Sequence, residues 1–118
     1  MFKQVKEGVK PVKADNVNAN VTKLVSKICS WHYDRNLIHG SSDKDQFLKL
    51  VQEVGELSDN ICKGQDISDD IGDIIVVLIN IAERNKLSIE SCLDKAWNDI
   101  KDRKGVMRDG IFIKENDL

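Results

Sequence analysis

Residues 67–83 read ISDDIGDIIVVLINIAE and contain the longest apolar run of the chain. Apolar side chains recur at helical spacing, at positions 71, 74, 75, 77, 78, 81 and 82, which predicts a helix. A strand would explain Ile74 to Ile79 alone, but the periodicity continues through Ala82 and Glu83 and favours the helix. Since this third helix is apolar on nearly every side, we expect it to be central in a bundle or in an oligomer.

Two helices are predicted before this segment. Apolar residues at helical spacing indicate helix one over residues 20–36 and helix two from Ser42 to Gly64. Ser42 together with Asp45 resembles a capping arrangement. Gly64 suits the left-handed residue that commonly follows a helix.

The chain continues with a fourth helix and an extended tail. Ser88 suits the N-cap of helix four, whose apolar residues run from Ile89 to Ile100. Asp109-Gly110 is a hairpin-type turn before the apolar residues 111–113. We therefore predict an all-α fold, a four-helix bundle with a short extended or hairpin tail. The predicted domains are an N-terminal arm (1–20), a helical domain (21–105) and the C-terminal tail (106–118).

Composition excludes several classes of protein. The chain has 118 residues, of which 41% are hydrophobic and 32% charged, as expected for one soluble domain. A net charge of −2 argues against nucleic acid or an anionic membrane as a partner. No apolar run is long enough to span a bilayer, and residues 1–6 lack the apolar stretch of a signal peptide. The three cysteines are widely spaced, without a C-x-x-C pair. We expect reduced thiols and a cytoplasmic protein, in the host cytoplasm if a phage encodes it.

Two acid–x–glycine–acid units carry the candidate chemistry. They are Glu53-Val54-Gly55-Glu56 on helix two and Asp70-Ile71-Gly72-Asp73 on helix three. Positions i and i+3 share one face of a helix, so each pair projects from one face. Either pair alone is more often a solvated surface feature, but the repetition on sequential helices favours a site. Four converging carboxylates suit Mg²⁺ or Mn²⁺. The inner glycines, each unfavourable in a helix by about 1 kcal/mol, predict close backbone approach.

These residues resemble the MazG-like, all-α nucleoside triphosphate pyrophosphohydrolases, whose pattern is E-E-x-x-E on one helix and E-x-x-D on the next. The resemblance covers about residues 20–105 and includes Trp31-x-x-x-Arg35-x-Leu37, Gln46-x-x-Lys49 and the tail sequences at 100–105 and 110–115. Gln52 replaces the first glutamate, and we expect no loss of activity. Asp70 replaces the usual glutamate and is one methylene shorter, so the metal distance or metal preference can differ.

The resemblance implies hydrolysis of a nucleoside triphosphate between its α and β phosphates, giving the monophosphate and pyrophosphate. The general base would be Glu53 or Glu56, and the sequence leaves both open. Asn98 and Lys101, one helical turn apart on helix four, fit phosphate contacts best, and Lys95 fits less well.

Two residues have two interpretations each. Lys49 precedes Glu53 by four residues, so it can form an ion pair on the helix or contact substrate. Trp31 can stack on a nucleobase or pack in the core. Trp97 is expected in the core, because it lies among Leu93 and Ile100.

The apolar third helix and the resemblance together predict a homodimer or a dimer of dimers. The alternative function is a non-catalytic dimeric regulator or interaction module, which would keep the apolar stripes but would not need all four acids. The absence of a basic stripe counts against a nucleic-acid-binding protein.

Overall fold

The computed structural model describes residues 20–118, and the predicted N-terminal arm lies outside them except for Asn20. Four helices are followed by an antiparallel hairpin, which confirms the predicted all-α chain with a hairpin tail. The helices are α1 (Val21–Asp34), α2 (Asp43–Lys63), α3 (Ser68–Arg84) and α4 (Ile89–Ile100). The strands are β1 (Gly105–Arg108) and β2 (Ile111–Lys114), and a 3₁₀ turn follows at Glu115–Asp117. Residues 74–79 are helical, as the longer periodicity predicts.

The ends of α1 and α2 follow from local side-chain chemistry. The Asn20 side chain accepts a hydrogen bond from the Lys23 backbone N–H. Ser42 and Asp45 form the predicted capping box, in which each side chain accepts from the other residue's backbone N–H. Gly64 ends α2 at φ 69°, in the left-handed region that glycine adopts most easily.

The described residues divide into two compact units, 20–89 and 90–118. In the first unit α3 packs against both α1 and α2, so it is central, as its composition predicts. The buried apolar residues of the core are Ile38, Val77, Ile79 and Ala82. Asn85, at the end of α3, donates to Asp43 at the start of α2 with an Nδ2–Oδ2 distance of 3.1 Å. The two helices therefore run antiparallel.

Buried polar side chains of α3 hold α1 and the following loop. His32 of α1 is buried, with Nε2 3.0 Å from the Val76 carbonyl and Nδ1 3.2 Å from Asn80 Nδ2. A carbonyl only accepts, so Nε2 carries the proton and Nδ1 accepts from the amide. Asn80 also donates to the Leu37 carbonyl at 3.1 Å. One turn later, Arg84 donates to Asp43 and to loop carbonyls. This network fixes where α2 begins.

The outer side of the α2–α3 pair is apolar and exposed. On α3 the exposed fractions are 45% for Ile71, 42% for Ile75 and 38% for Leu78, although α3 is nearly all apolar. Within residues 20–89, α1 and α2 pack against α3 but leave this side of it exposed. A second exposed apolar stripe follows α2 at Phe47, Val51, Val54 and Ile61.

The second unit contains α4 and the hairpin. Asp109 and Gly110 both have positive φ, 52° and 80°, as the tightest hairpin turns require. A Cβ at Gly105 would collide with the Ile113 carbonyl oxygen and the Phe112 ring, so the strands approach closely there. Trp97 is 59% exposed, and the prediction that it lies in the core is wrong. Leu93 and Ile100, its apolar neighbours on α4, are exposed as well. Within residues 20–118, none of the helices combines the length and apolar character needed to cross a membrane.

Candidate metal centre

Glu53 of α2 lies in the contact face with α3, and Glu56 lies exposed beside this face. Residues 46, 50, 53, 57 and 60 are all buried or half-buried and recur at intervals of three and four, which defines the face turned inward. We call this face the α2 seam. Glu53 is 6% exposed there, an unusual position for a carboxylate without a fixed counter-charge.

Three of the four predicted acids converge. Glu53, Glu56 and Asp73 each offer a carboxylate oxygen, and these atoms all lie within 4.8 Å of one another. The negative charge of Glu53 raises the pKa of Glu56 above its ordinary value. Partial burial, followed by the charge of Asp69, raises the pKa of Asp73. The cluster therefore holds unfavourable negative charge that a cation or a proton would relieve.

The two oxygens of Glu53 have different surroundings. Oε1 lies 3.0 Å from Lys49 Nζ, so the ion pair predicted from their spacing is present. This carboxylate raises the pKa of Lys49. Oε2 is buried and has no hydrogen-bond partner among the described residues. Buried carboxylate oxygens are normally satisfied, and a divalent cation among the three carboxylates would satisfy this one. The residues present therefore fit a hard metal ion.

Asp70 is held apart from the close cluster. It is 7% exposed, and its Oδ2 accepts a hydrogen bond from Asn60 Nδ2 at 2.8 Å. Asn60 is a residue of the site that the sequence did not reveal. Its spacing could have indicated a role at the site. Asn60 follows Glu56 by four residues and Glu53 by seven, so it lies on the same face of the helix.

Residues 42–106 match the MazG nucleotide pyrophosphohydrolase domain, which is more than half of the chain. This chain belongs to the MazG nucleotide pyrophosphohydrolase family. The matched span contains all four predicted acids, and it also contains Lys49, Lys95, Asn98 and Lys101. Trp31 lies outside it.

A phage protein is also similar to this chain. It is an uncharacterized 18.2 kDa protein from the rep-hol intergenic region of Haemophilus phage HP1 (strain HP1c1), 39% identical over 79 residues. The alignment covers 65% of this chain and 47% of that protein, so the chain matches about half the length of its relative. No solved structure matches the chain.

The glycines of this MazG-family chain do not have the role predicted from their position. A Cβ at Gly55 or Gly72 would meet nothing within 4 Å. Close approach of the α2 and α3 backbones therefore does not require them. Both lie on exposed positions of their helices, away from the α2 seam, so the prediction of a close backbone contact is wrong within the single chain.

The predicted substrate residues differ in where they lie. Trp31 is 44% exposed, and the Arg35 guanidinium lies 4.3 Å from its ring centroid. The core interpretation of Trp31 is therefore wrong, and base stacking stays a prediction. Lys95 and Asn98 are exposed on α4, and Lys101 is exposed directly after its last residue. All three lie in the second compact unit, and their contact with phosphate also stays a prediction.

Proposed function

We propose that this MazG-family chain is a metal-dependent nucleoside triphosphate pyrophosphohydrolase, which converts a (deoxy)nucleoside triphosphate and water to the monophosphate and pyrophosphate. Its role would be housecleaning of the nucleotide pool in the cytoplasm, or in the host cytoplasm if a phage encodes it. One observation carries the proposal. The buried, unpartnered Oε2 of Glu53 lies in a group of three carboxylates whose oxygens are within 4.8 Å of one another.

The carboxylates would hold Mg²⁺ or Mn²⁺, with Glu53, Glu56 and Asp73 as the close set and Asp70 beside them. When bound, the metal neutralises phosphate charge and lowers the pKa of an attacking water. Glu56 suits the general base better than Glu53, because it is exposed. Glu53 is buried and has one oxygen paired with Lys49.

Cationic and amide groups would bind the phosphates. Asn98 is exposed in the last turn of α4, and Lys101 is exposed three residues later, directly after the helix, so both can contact one phosphate chain. Lys95 is a weaker candidate on the same helix. Lys49 is already beside the carboxylates, and its 51% exposed side chain leaves the ammonium accessible. Trp31 offers an exposed indole for the nucleobase.

A homodimer, or a dimer of dimers, would cover the exposed apolar stripes. On each helix, every exposed apolar residue of the stripe comes one position after a residue that faces inward. One residue corresponds to a rotation of about 100° around the helix. Because α2 and α3 run antiparallel, this rotation brings both stripes to the same side of the pair. A continuous apolar surface on two packed helices is typical of an interface between copies.

The alternative, a non-catalytic dimeric regulator, would use those same stripes. It gives no reason for a buried carboxylate oxygen without a partner, since an apolar residue at position 53 would pack better in the α2 seam. For that reason we prefer the enzyme.

The decisive experiment measures pyrophosphate release from a panel of ribo- and deoxyribonucleoside triphosphates with Mg²⁺, with Mn²⁺ and with chelator. We expect at least one nucleotide to be hydrolysed, and only when metal is present. The products distinguish the two possible reactions. Pyrophosphohydrolysis gives the monophosphate and pyrophosphate, whereas stepwise phosphate removal gives the diphosphate and inorganic phosphate. A properly folded chain that releases no pyrophosphate from any nucleotide would favour the regulator.

A further inference from the structure

Asn60 and Asp70 form a polar pair across the same two helices that carry the three-carboxylate cluster. Asn60 lies in the α2 seam one turn beyond Glu56, and Asp70 lies on α3 one turn before Asp73. Antiparallel packing therefore places the pair in the layer next to the cluster. Only Oδ2 of Asp70 is joined to Asn60, at 2.8 Å from Nδ2.

We propose that Asn60 is a positioning residue for metal binding, which orients Asp70 so that its other oxygen, Oδ1, serves as the fourth carboxylate ligand beside the cluster. This inference rests on the proposed metal site. An aspartate has a single methylene and little reach, so the direction of its carboxylate decides whether it contributes. An amide that binds one oxygen fixes that direction and leaves the other oxygen for the cation. Partners of this kind orient metal-binding carboxylates in many proteins.

The competing explanation is that Asn60 only satisfies a buried carboxylate, which is 7% exposed. That role would affect stability and leave metal affinity unchanged. The two explanations therefore separate when Mn²⁺ affinity and thermal stability are measured on the same variants of the full chain, without nucleotide. Mn²⁺ binding is measured by the loss of the free-ion electron paramagnetic resonance signal.

We expect Asn60→Ala to weaken Mn²⁺ binding by about tenfold or more, the usual effect of losing such a partner. Asp70→Asn should weaken it as well. The double variant should bind no worse than Asp70→Asn alone, because without the Asp70 charge there is no ligand for Asn60 to orient. Asn60→Gln keeps an amide donor and should retain more affinity than Asn60→Ala.

Asn85 provides a matched control. Its amide also donates to an aspartate across α2 and α3, at 3.1 Å to Asp43 Oδ2, but at the opposite end of the pair. Asn85→Ala should lower the melting temperature and leave Mn²⁺ affinity at the parent value. If Asn60→Ala does not fold, Asn60→Leu fills the site without the amide and takes its place.

The results distinguish this inference from the proposed function. Glu56→Gln removes a ligand of the close cluster, so its loss of Mn²⁺ binding establishes the metal site. If Glu56→Gln loses affinity while folded Asn60→Ala binds Mn²⁺ like the parent, the role of Asn60 is overturned and the metal site stands. If the parent itself does not bind Mn²⁺, the metal site fails and this inference fails with it.

Discussion

Replacing Glu53 with glutamine removes one negative charge from the buried centre of the carboxylate cluster and keeps the size of the side chain. Glu53 is 6% exposed, and its Oε2 has no partner. Losing a group that merely orients a ligand typically weakens metal binding by about 10- to 100-fold. Removing a direct ligand should reach at least about 100-fold, or about 2.7 kcal/mol.

The same change should stabilise the metal-free protein. Two unit charges 4.8 Å apart, the largest separation in the cluster, repel by about 1 kcal/mol in water and about 3.5 kcal/mol at an effective dielectric constant of 20. Glu53→Gln relieves the repulsion from Asp73. It also removes the ion pair with Lys49, which is 51% exposed and so contributes only about 0.3–0.5 kcal/mol. The net gain is about 1 kcal/mol, which raises the melting temperature by about 4 °C.

Calorimetric titration with Mn²⁺ and thermal unfolding in chelator measure the two effects. Asp59→Asn is the control, because Asp59 is also an α2 acid paired with a lysine four residues away, with Oδ2 2.7 Å from Lys63 Nζ. Its pair is exposed and lies outside the cluster, so neither metal affinity nor stability should change much. Parent-like Mn²⁺ affinity in a folded Glu53→Gln variant would refute the assignment of the metal to this cluster.

Further expected outcomes concern catalysis, phosphate binding, pH and assembly. Glu56→Gln should lower pyrophosphate release by at least about tenfold, and an unchanged rate would contradict a role for Glu56. Lys101→Ala should lower kcat/KM and leave Mn²⁺ affinity intact, whereas an unchanged kcat/KM would remove Lys101 from the site. The pKa values of Glu56 and Asp73 are raised in the fold, so protonation of these two groups stabilises the metal-free protein below the ordinary carboxylate pKa. This stabilisation is lost as pH rises through the raised values. The stability advantage of metal-free Glu56→Gln over the parent should therefore shrink between about pH 7 and about pH 4, and a constant difference would refute the repulsion. Val51→Lys, in the exposed α2 stripe, should move the sedimenting species from dimer to monomer, while a parent chain that is already monomeric would contradict the dimer.

The sequence was sufficient for the helices because their signals are local. Spacing of apolar residues depends only on the period of the helix, and the Ser42 capping box involves residues three apart. The turn at Asp109-Gly110 likewise depends on the backbone freedom of those two residues. The acids were recognisable for the same reason, since their i, i+3 spacing is a property of one helix.

The parts that the sequence did not reveal depend on how one helix packs against another. Nothing near Asn60 in the chain indicates that its amide meets Asp70, because that contact requires the register of α2 on α3. Exposure is non-local in the same way. Trp97 has the spacing of a core residue, but only the number and arrangement of neighbouring helices decide whether that face is covered. The prediction of a close backbone contact at Gly55 and Gly72 was wrong for the same reason. Whether another helix lies beside a glycine depends on packing, and both positions face open space.

The polar character of the α2 seam bears on the stability of the chain and on the proposed dimer. Position 53 holds a carboxylate and position 60 an amide, where a helix built only for stability would place apolar residues. Within the described residues, the fully buried apolar residues are Ile38, Val77, Ile79 and Ala82, and the other apolar side chains of the helices are half-buried or exposed. Under the proposed function, a cation among the carboxylates and a second copy on the exposed stripes would add stability to this core. Each would bind the folded chain and not the unfolded one, so metal binding and association would both shift the equilibrium towards the folded state by mass action. The proposed dimer would bury the exposed apolar stripes and so offset the apolar burial that a polar α2 seam lacks.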